Sequence, residues 1–211
     1  MLLGIAAQTV TAQEQSGWHT LYEERGITVS TRAQAGQEFP SFRGQSRLRG
    51  ELLHMLAVVL DDARTKEWAK SADEASVLKR LDERTQIIYS RSHQTWPVRD
   101  RDLVMKRHVE VRKPGAEYRV HIECVAGEKP PVANVIRITQ CETELLLRKV
   151  DARTTFVDYQ VRADPGGNNP GWMVRWASKN IPFDTLVGLE KQVEKTKGQY
   201  RAAIAYWQSA R

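Results

Sequence analysis

Cysteine is nearly absent from this chain: Cys124 and Cys141 are the two in 211 residues. Their number and separation exclude a thiolate zinc cluster or a CxxC redox motif. Both fall in strand-like runs, where the expected role is that of a small buried apolar residue. Export would instead favour a bridge between neighbouring strands. No apolar run approaches the roughly 20 residues that cross a bilayer as a helix, which predicts a chain that is soluble once any leader is removed. The five histidines (His19, His54, His93, His108 and His121) are not at metal-ligand spacing. No Ser or Cys sits in a nucleophile motif, so neither a metal, another cofactor nor catalysis is expected. Repeats, low-complexity tracts and Gly/Ser linkers are missing too, which argues for one domain.

A long run of like charge is also lacking. The formal charge is +6, but the bases are interleaved with acids, as in Arg99-Asp100-Arg101-Asp102. That pattern excludes a nucleic-acid footprint and leaves a mixed, solvated surface with a bias towards anionic membranes. Glu67, Asp73, Glu74 and the Asp61-Asp62 pair lie in polar stretches and read as solvated carboxylates.

The chain is 41% apolar and 27% charged, ordinary for a globular domain that buries its own core. Residues 1–17 are set apart. Met1 to Ala12 is apolar and small, and Val10-Thr11-Ala12 fits the spacing before a signal-peptide cleavage point. The segment reads as a signal peptide whose start lies upstream, or else as a plain leader. The first reading predicts a periplasmic or secreted protein, the second a cytoplasmic one. The domain itself is expected over 18–211.

Within it, Trp18 to Glu24 reads as a short helix stopped by Gly26. Ile27–Thr31 and Phe42–Leu48 alternate as strands. Glu51 to Trp68 reads as a helix, with Leu52, Met55, Leu56, Val59 and Leu60 at three- and four-residue spacing. Seven strand candidates follow: Val77–Leu81, Gln86–His93, Leu103–Val111, Tyr118–Val125, Val132–Gln140, Glu144–Lys149 and Thr154–Val161. Short turns between them imply antiparallel pairing. From Pro182 to Trp207, Leu186, Leu189, Val193, Thr196, Tyr200, Ile204 and Trp207 form one helical stripe, with bends possible at Gly188 and Gly198. A many-stranded sheet and one long amphipathic helix resolve into an α+β fold in which the curved antiparallel sheet wraps the helix.

One strand carries a conflict. Leu103, Met105, Val109 and Val111 share a face with Arg107. A guanidinium on an apolar face is costly unless paired. The readings open for Arg107 are a ligand contact, a salt bridge to Glu123 or Asp158, or snorkelling to the rim.

Three segments, in order, resemble one family. Tyr159 to Trp172 (Tyr-Gln-Val-Arg-Ala-Asp-Pro-Gly-Gly-Asn-Asn-Pro-Gly-Trp) is similar to the last strand and turn of the steroidogenic-acute-regulatory-related lipid transfer (START) domain. Trp96-Pro97-Val98-Arg99-Asp100-Arg101-Asp102-Leu103-Val104 resembles its Pro, spacer, Arg-Asp-hydrophobic signature. Trp68 resembles the Trp that closes an early helix. Asp100 and Asn169 depart from the pattern, where Asn and a hydrophobic residue are usual.

The resemblance covers Trp18 to the C-terminus. It implies a helix-grip fold that binds, and possibly transfers, a lipid or other hydrophobic molecule between sheet and terminal helix. Enzymes of the polyketide cyclase and aromatase type share that architecture and are the alternative. The candidate ligand-binding residues are Arg107, Leu103, Met105, Val109, Trp96, Tyr159, Phe183, Leu186 and Val187. Arg101 and Asp102 are expected to fix the loop-to-strand corner. Trp96 either touches lipid or packs under its own loop. The loop Gln94–Asp100 and the stretch Ile181–Val187 are the expected gate. The partners implied are a hydrophobic small molecule and a transient membrane surface, with no nucleic acid and a monomeric chain.

Overall fold

The computed structural model describes residues 17–33, 39–70, 72–94, 98–166 and 171–210, the side chains of 171–179 excepted. The leader, Trp96, Pro97 and 167–170 lie outside these. Among the described residues, ten strands form one sheet: β1 (His19–Glu24), β2 (Ile27–Arg32), β3 (Ser41–Arg49), β4 (Glu74–Arg80), β5 (Thr85–Ser92), β6 (Arg101–Lys113), β7 (Glu117–Cys124), β8 (Ile136–Ile138), β9 (Cys141–Lys149) and β10 (Thr154–Ala163). Their spatial order is β1-β2-β3-β10-β9-β7-β6-β5-β4, with β8 beside β6. Among the described residues, three helices cover the concave face: α1 (Leu52–Val59), α2 (Gly171–Lys195) and α3 (Arg201–Ser209).

The core lies where those helices meet the sheet. Leu52, Met55 and Leu56 of α1 and Leu186, Leu189 and Val193 of α2 pack on Val109, Tyr118, Val120, Leu147 and Val157. Each fully buried aliphatic side chain contributes about 1.5–3 kcal/mol relative to exposure. Trp207 of α3 closes the end, edge-on to Tyr118, whose hydroxyl donates to the Trp207 carbonyl at 2.8 Å.

The expected stripe on the terminal helix is present, but its helix is not one rod starting at Pro182. α2 begins eleven residues earlier, at Gly171, and carries Pro182 inside it. It ends before Gly198, which has φ +76°, and Tyr200, at +63°, starts α3 in a new direction. The helix expected over Glu51–Trp68 also divides, into α1 and a 3-10 segment at Asp62–Glu67.

Trp18 to Glu24 is not helical. Arg25 and Gly26 both take positive φ (53° and 73°), the geometry of a tight hairpin whose twist matches its strands. That turn pairs Glu24 with Ile27 and makes this segment the edge strand β1. The strand expected over Val132–Gln140 shrinks to Ile136–Ile138 and runs parallel to β6, an exception to the antiparallel rule.

Cys124 and Cys141 form a disulfide, with Cα atoms 5.1 Å apart. They are not the free apolar fillers expected. Pairing of Glu123 with Glu142 brings the next residues of β7 and β9 side by side.

Candidate functional site

Cross-strand partners share a face of the sheet, so the register defines rows across the concave side. One row runs Val29–Gly44–Tyr159–Leu145–Val120–Val109. Apart from Tyr159 it is buried throughout. The adjacent row runs Thr31–Phe42–Val161–Thr143–Ile122–Arg107–Gln86. Apart from Arg107, every member of it is only half-buried. Beyond it, Met105, Cys124, Cys141 and Ala163, and then Ser90 and Leu103, are half-buried as well, while Ile88, across from Met105, is buried. The concave face therefore has a sealed end and an end where apolar side chains keep surface uncovered.

Tyr159 stands on that boundary. Burial pushes its phenol up to about 12, against a smaller downward effect of its hydrogen bond with Thr185 on α2. Yet its side chain is not fully covered by protein. Its hydroxyl is a desolvated polar group at the edge of the sealed core, paired with Thr185.

The expected site residues divide along this boundary. Val109 and Leu186 lie in the sealed core. Leu103 and Met105 are half-buried at the open end. Tyr159, Phe183 and Val187 are half-buried and pack against the rim of the core cluster. Trp96 is outside the described residues.

Arg107 is buried, at 3% exposure, and its partner is neither Glu123 nor Asp158. Glu123 is engaged by Lys106 at 2.7 Å and Asp158 by Arg43 at 2.9 Å. The two terminal nitrogens of Arg107 donate instead to Asp62 Oδ1 and Oδ2 at 2.9 and 2.7 Å, and one also reaches Gln86 Oε1 at 2.5 Å. Asp62, expected in solvent, is buried. Its 3-10 segment carries it onto the sheet and balances the charge with a bidentate pair. A ligand reaching Arg107 meets a guanidinium that is already neutralised.

The signature pair holds its corner, as expected. Asp102, with no exposed surface, accepts from Arg137 Nε and a terminal nitrogen at 2.7 and 2.9 Å. Arg101 donates to the Arg99 carbonyl at 2.5 Å, and burial followed by Arg99 repulsion lowers its pKa. On the convex face, His121, Glu142 and Glu144 bring potential metal-ligand atoms within 4.8 Å of one another. Sequence spacing missed this group because it forms across strands. Arg162 and Arg119 already sit 3.0 and 3.5 Å from Glu142 and Glu144, so it reads as an ion-pair lattice.

A curved sheet gripping a terminal helix, sealed at one end and half-covered at the other, defines a helix-grip protein. The START domain family model matches residues 7–197, and the chain belongs to that family. An uncharacterized protein of Pseudomonas aeruginosa is 27% identical over 180 residues, 84% of this chain and 87% of its own length. The phosphatidylcholine transfer protein of Bos taurus is 24% identical over 186 residues, 86% of each chain. Among solved structures, a STAR-related lipid transfer protein fragment from Xanthomonas axonopodis is similar with a TM-score of 0.76 and 28% identity, covering 84% of this chain and 99% of that one.

Proposed function

We propose that this chain is a carrier that takes up a lipid or other hydrophobic molecule at the open end of the concave face and transfers it between membranes. The observation that supports this most is the half-buried row Phe42–Val161–Thr143–Ile122, apolar but for one hydroxyl, facing α2. Covering it with a ligand is favourable at about 25 cal/mol per Å² of apolar surface. Tyr159 and Thr185 supply the polar handle that orients the ligand, and the names of the bovine and Xanthomonas relatives point to the same class.

The reading is carriage and not catalysis. A phenol held near 12 is poorly matched to acid–base work near neutral pH, and the buried Arg107 is tied to Asp62. Entry is through the loop 94–100, of which 95–97 lie outside the described residues, or past Ile181–Val187 of α2, and a monomer with net charge +6 is drawn transiently to anionic bilayers. The disulfide supports work outside the reducing cytoplasm. Native mass spectrometry of the purified protein, followed by lipid extraction, tests the proposal. A co-purifying amphiphile at one per chain is the expected result. Absence of any adduct, together with no uptake from lipid vesicles, would refute it.

A further inference from the structure

Between Cys124 and Cys141 the chain leaves the sheet. β7 ends at Cys124, and the Val125 amide makes a last bond to the Val104 carbonyl at 2.9 Å. Residues 125–135 then swing over the convex face, where Lys129 lies on the Tyr89 ring, 4.5 Å from its centroid. The chain returns as β8, which pairs with Arg101–Leu103, ahead of where β7 pairs with β6. Cys141 then opens β9 next to Cys124. The disulfide closes this excursion at its base.

The excursion ties together both sides of the open end. The Ile136 amide donates to the Asp100 carbonyl at 2.9 Å, at the foot of the loop 94–100. On the other side, the Asp164 amide donates to the Gln140 carbonyl at 2.9 Å, and Gly166 lies against Ile136 in the turn that leads to α2. The excursion is not tightly packed: Val125, Gly127, Lys129, Pro131 and Thr139, all its own residues, line an open cleft of about 350 Å³. None of residues 125–140 is buried, so the segment has few buried contacts to hold it once its base is released.

We propose that the Cys124–Cys141 bond is a redox clasp on the mouth of the concave face, setting how readily the rim opens and so the rate of ligand exchange. A dithiol reductant gives two electrons and two protons, the Sγ–Sγ bond becomes two thiols, and the reductant leaves as its own disulfide. The consequence for exchange rests on the carrier reading above; the loosening of the rim does not.

The test follows the full chain in oxidised and reduced form, with Cys124→Ser/Cys141→Ser as a reductant-free mimic. Hydrogen exchange is read at the Ile136 and Asp164 amides, which bridge the rim, and at Leu147 and Val157 in the sealed core. Release of nitrobenzoxadiazole-labelled phosphatidylcholine to acceptor vesicles of phosphatidylcholine is followed in parallel. Expected are thiols that alkylate only after reduction, a rise of about tenfold in rim exchange and probe release, and unchanged core amides. Free thiols in the native protein, equal rim exchange in both forms, or acceleration of rim and core together would overturn the clasp. So would faster rim exchange with unchanged probe release. Faster rim exchange in a protein that loads no probe in either form leaves the rim clasp standing and removes the carrier reading.

Discussion

Asp62→Leu should destabilise the fold by about 3–5 kcal/mol, because it leaves a charged guanidinium buried without its counter-ion. The side chain of Arg107 keeps 4% of its surface exposed and that of Asp62 8%, so water does not replace the missing partner. Gln86 accepts one bond and carries no charge. For a chain of this size each kcal/mol moves the melting midpoint by about 2–4 °C, giving a drop of about 6–20 °C. Arg107→Met leaves the Asp62 carboxylate in the same position and should cost a similar amount. The double variant, Asp62→Leu with Arg107→Met, removes both charges and should lie near wild type or above it, as apolar replacements of buried pairs often do. Urea unfolding of all four proteins by tryptophan fluorescence measures the cycle. Single variants within about 1 kcal/mol of wild type, or a double variant as unstable as the sum of the singles, would refute the reasoning. A neutralised Arg107 also adds little headgroup preference. The double variant should keep the wild-type ratio of affinities for a polar-headed lipid and a plain hydrocarbon probe.

Gly188→Ala should lower stability by about 1–3 kcal/mol despite the better helix propensity of Ala, since the new Cβ would fall 2.1 Å from the Trp68 carbonyl oxygen; calorimetry reads the sign directly. Tyr118→Phe removes the bond to the buried Trp207 carbonyl and should cost about 1–3 kcal/mol, with chymotrypsin cleavage near α3 rising in step. His54 is buried beside Thr196, Nε2 to Oγ1 at 2.9 Å, and burial lowers its pKa from 6.5 against smaller upward effects of Glu51 and Thr196. The unfolded chain then binds more protons than the folded one below about pH 6.5, so this contribution is complete above that pH and is lost as the pH falls towards the lowered value. Urea midpoints measured downwards from about pH 7.5 should fall less steeply in His54→Gln than in wild type.

Most of the sheet was legible because alternation is a local property. Leu103, Met105, Arg107, Val109 and Val111 do share one face, and the neighbouring strands supply their partners in register. β1 was missed because Tyr22-Glu23-Glu24 suits a helix by composition, while the hairpin at Arg25-Gly26 decides the matter through two positive φ values. The partner of Arg107 was missed for a related reason. Asp62 lies 45 residues away on an irregular segment, and a polar residue in such a segment gives no sign of whether it faces water or protein. The disulfide depended on β7 and β9, separated by the excursion 125–140, pairing so that Glu123 meets Glu142, a long-range register that local pattern does not encode.

The boundary between sealed core and open end is the least legible feature, and the reason is physical. Val109 and Leu145 on one side of it, and Val161 and Ile122 on the other, are chemically alike and sit on strands with the same alternation. What separates them is where the helices cross the sheet. α1 and the C-terminal part of α2 lie over the first pair, and the position of α2 is constrained where Gly188 meets the Trp68 backbone. Trp68 belongs to the segment that follows Asp62, and Asp62 is pinned to β6 by Arg107. The buried ion pair, the close approach at Gly188 and the line along which the concave face stops being covered are thus mechanically connected. A residue on an apolar face that looks like a ligand anchor can instead set where the ligand has room, because it places the helix that would otherwise fill the space.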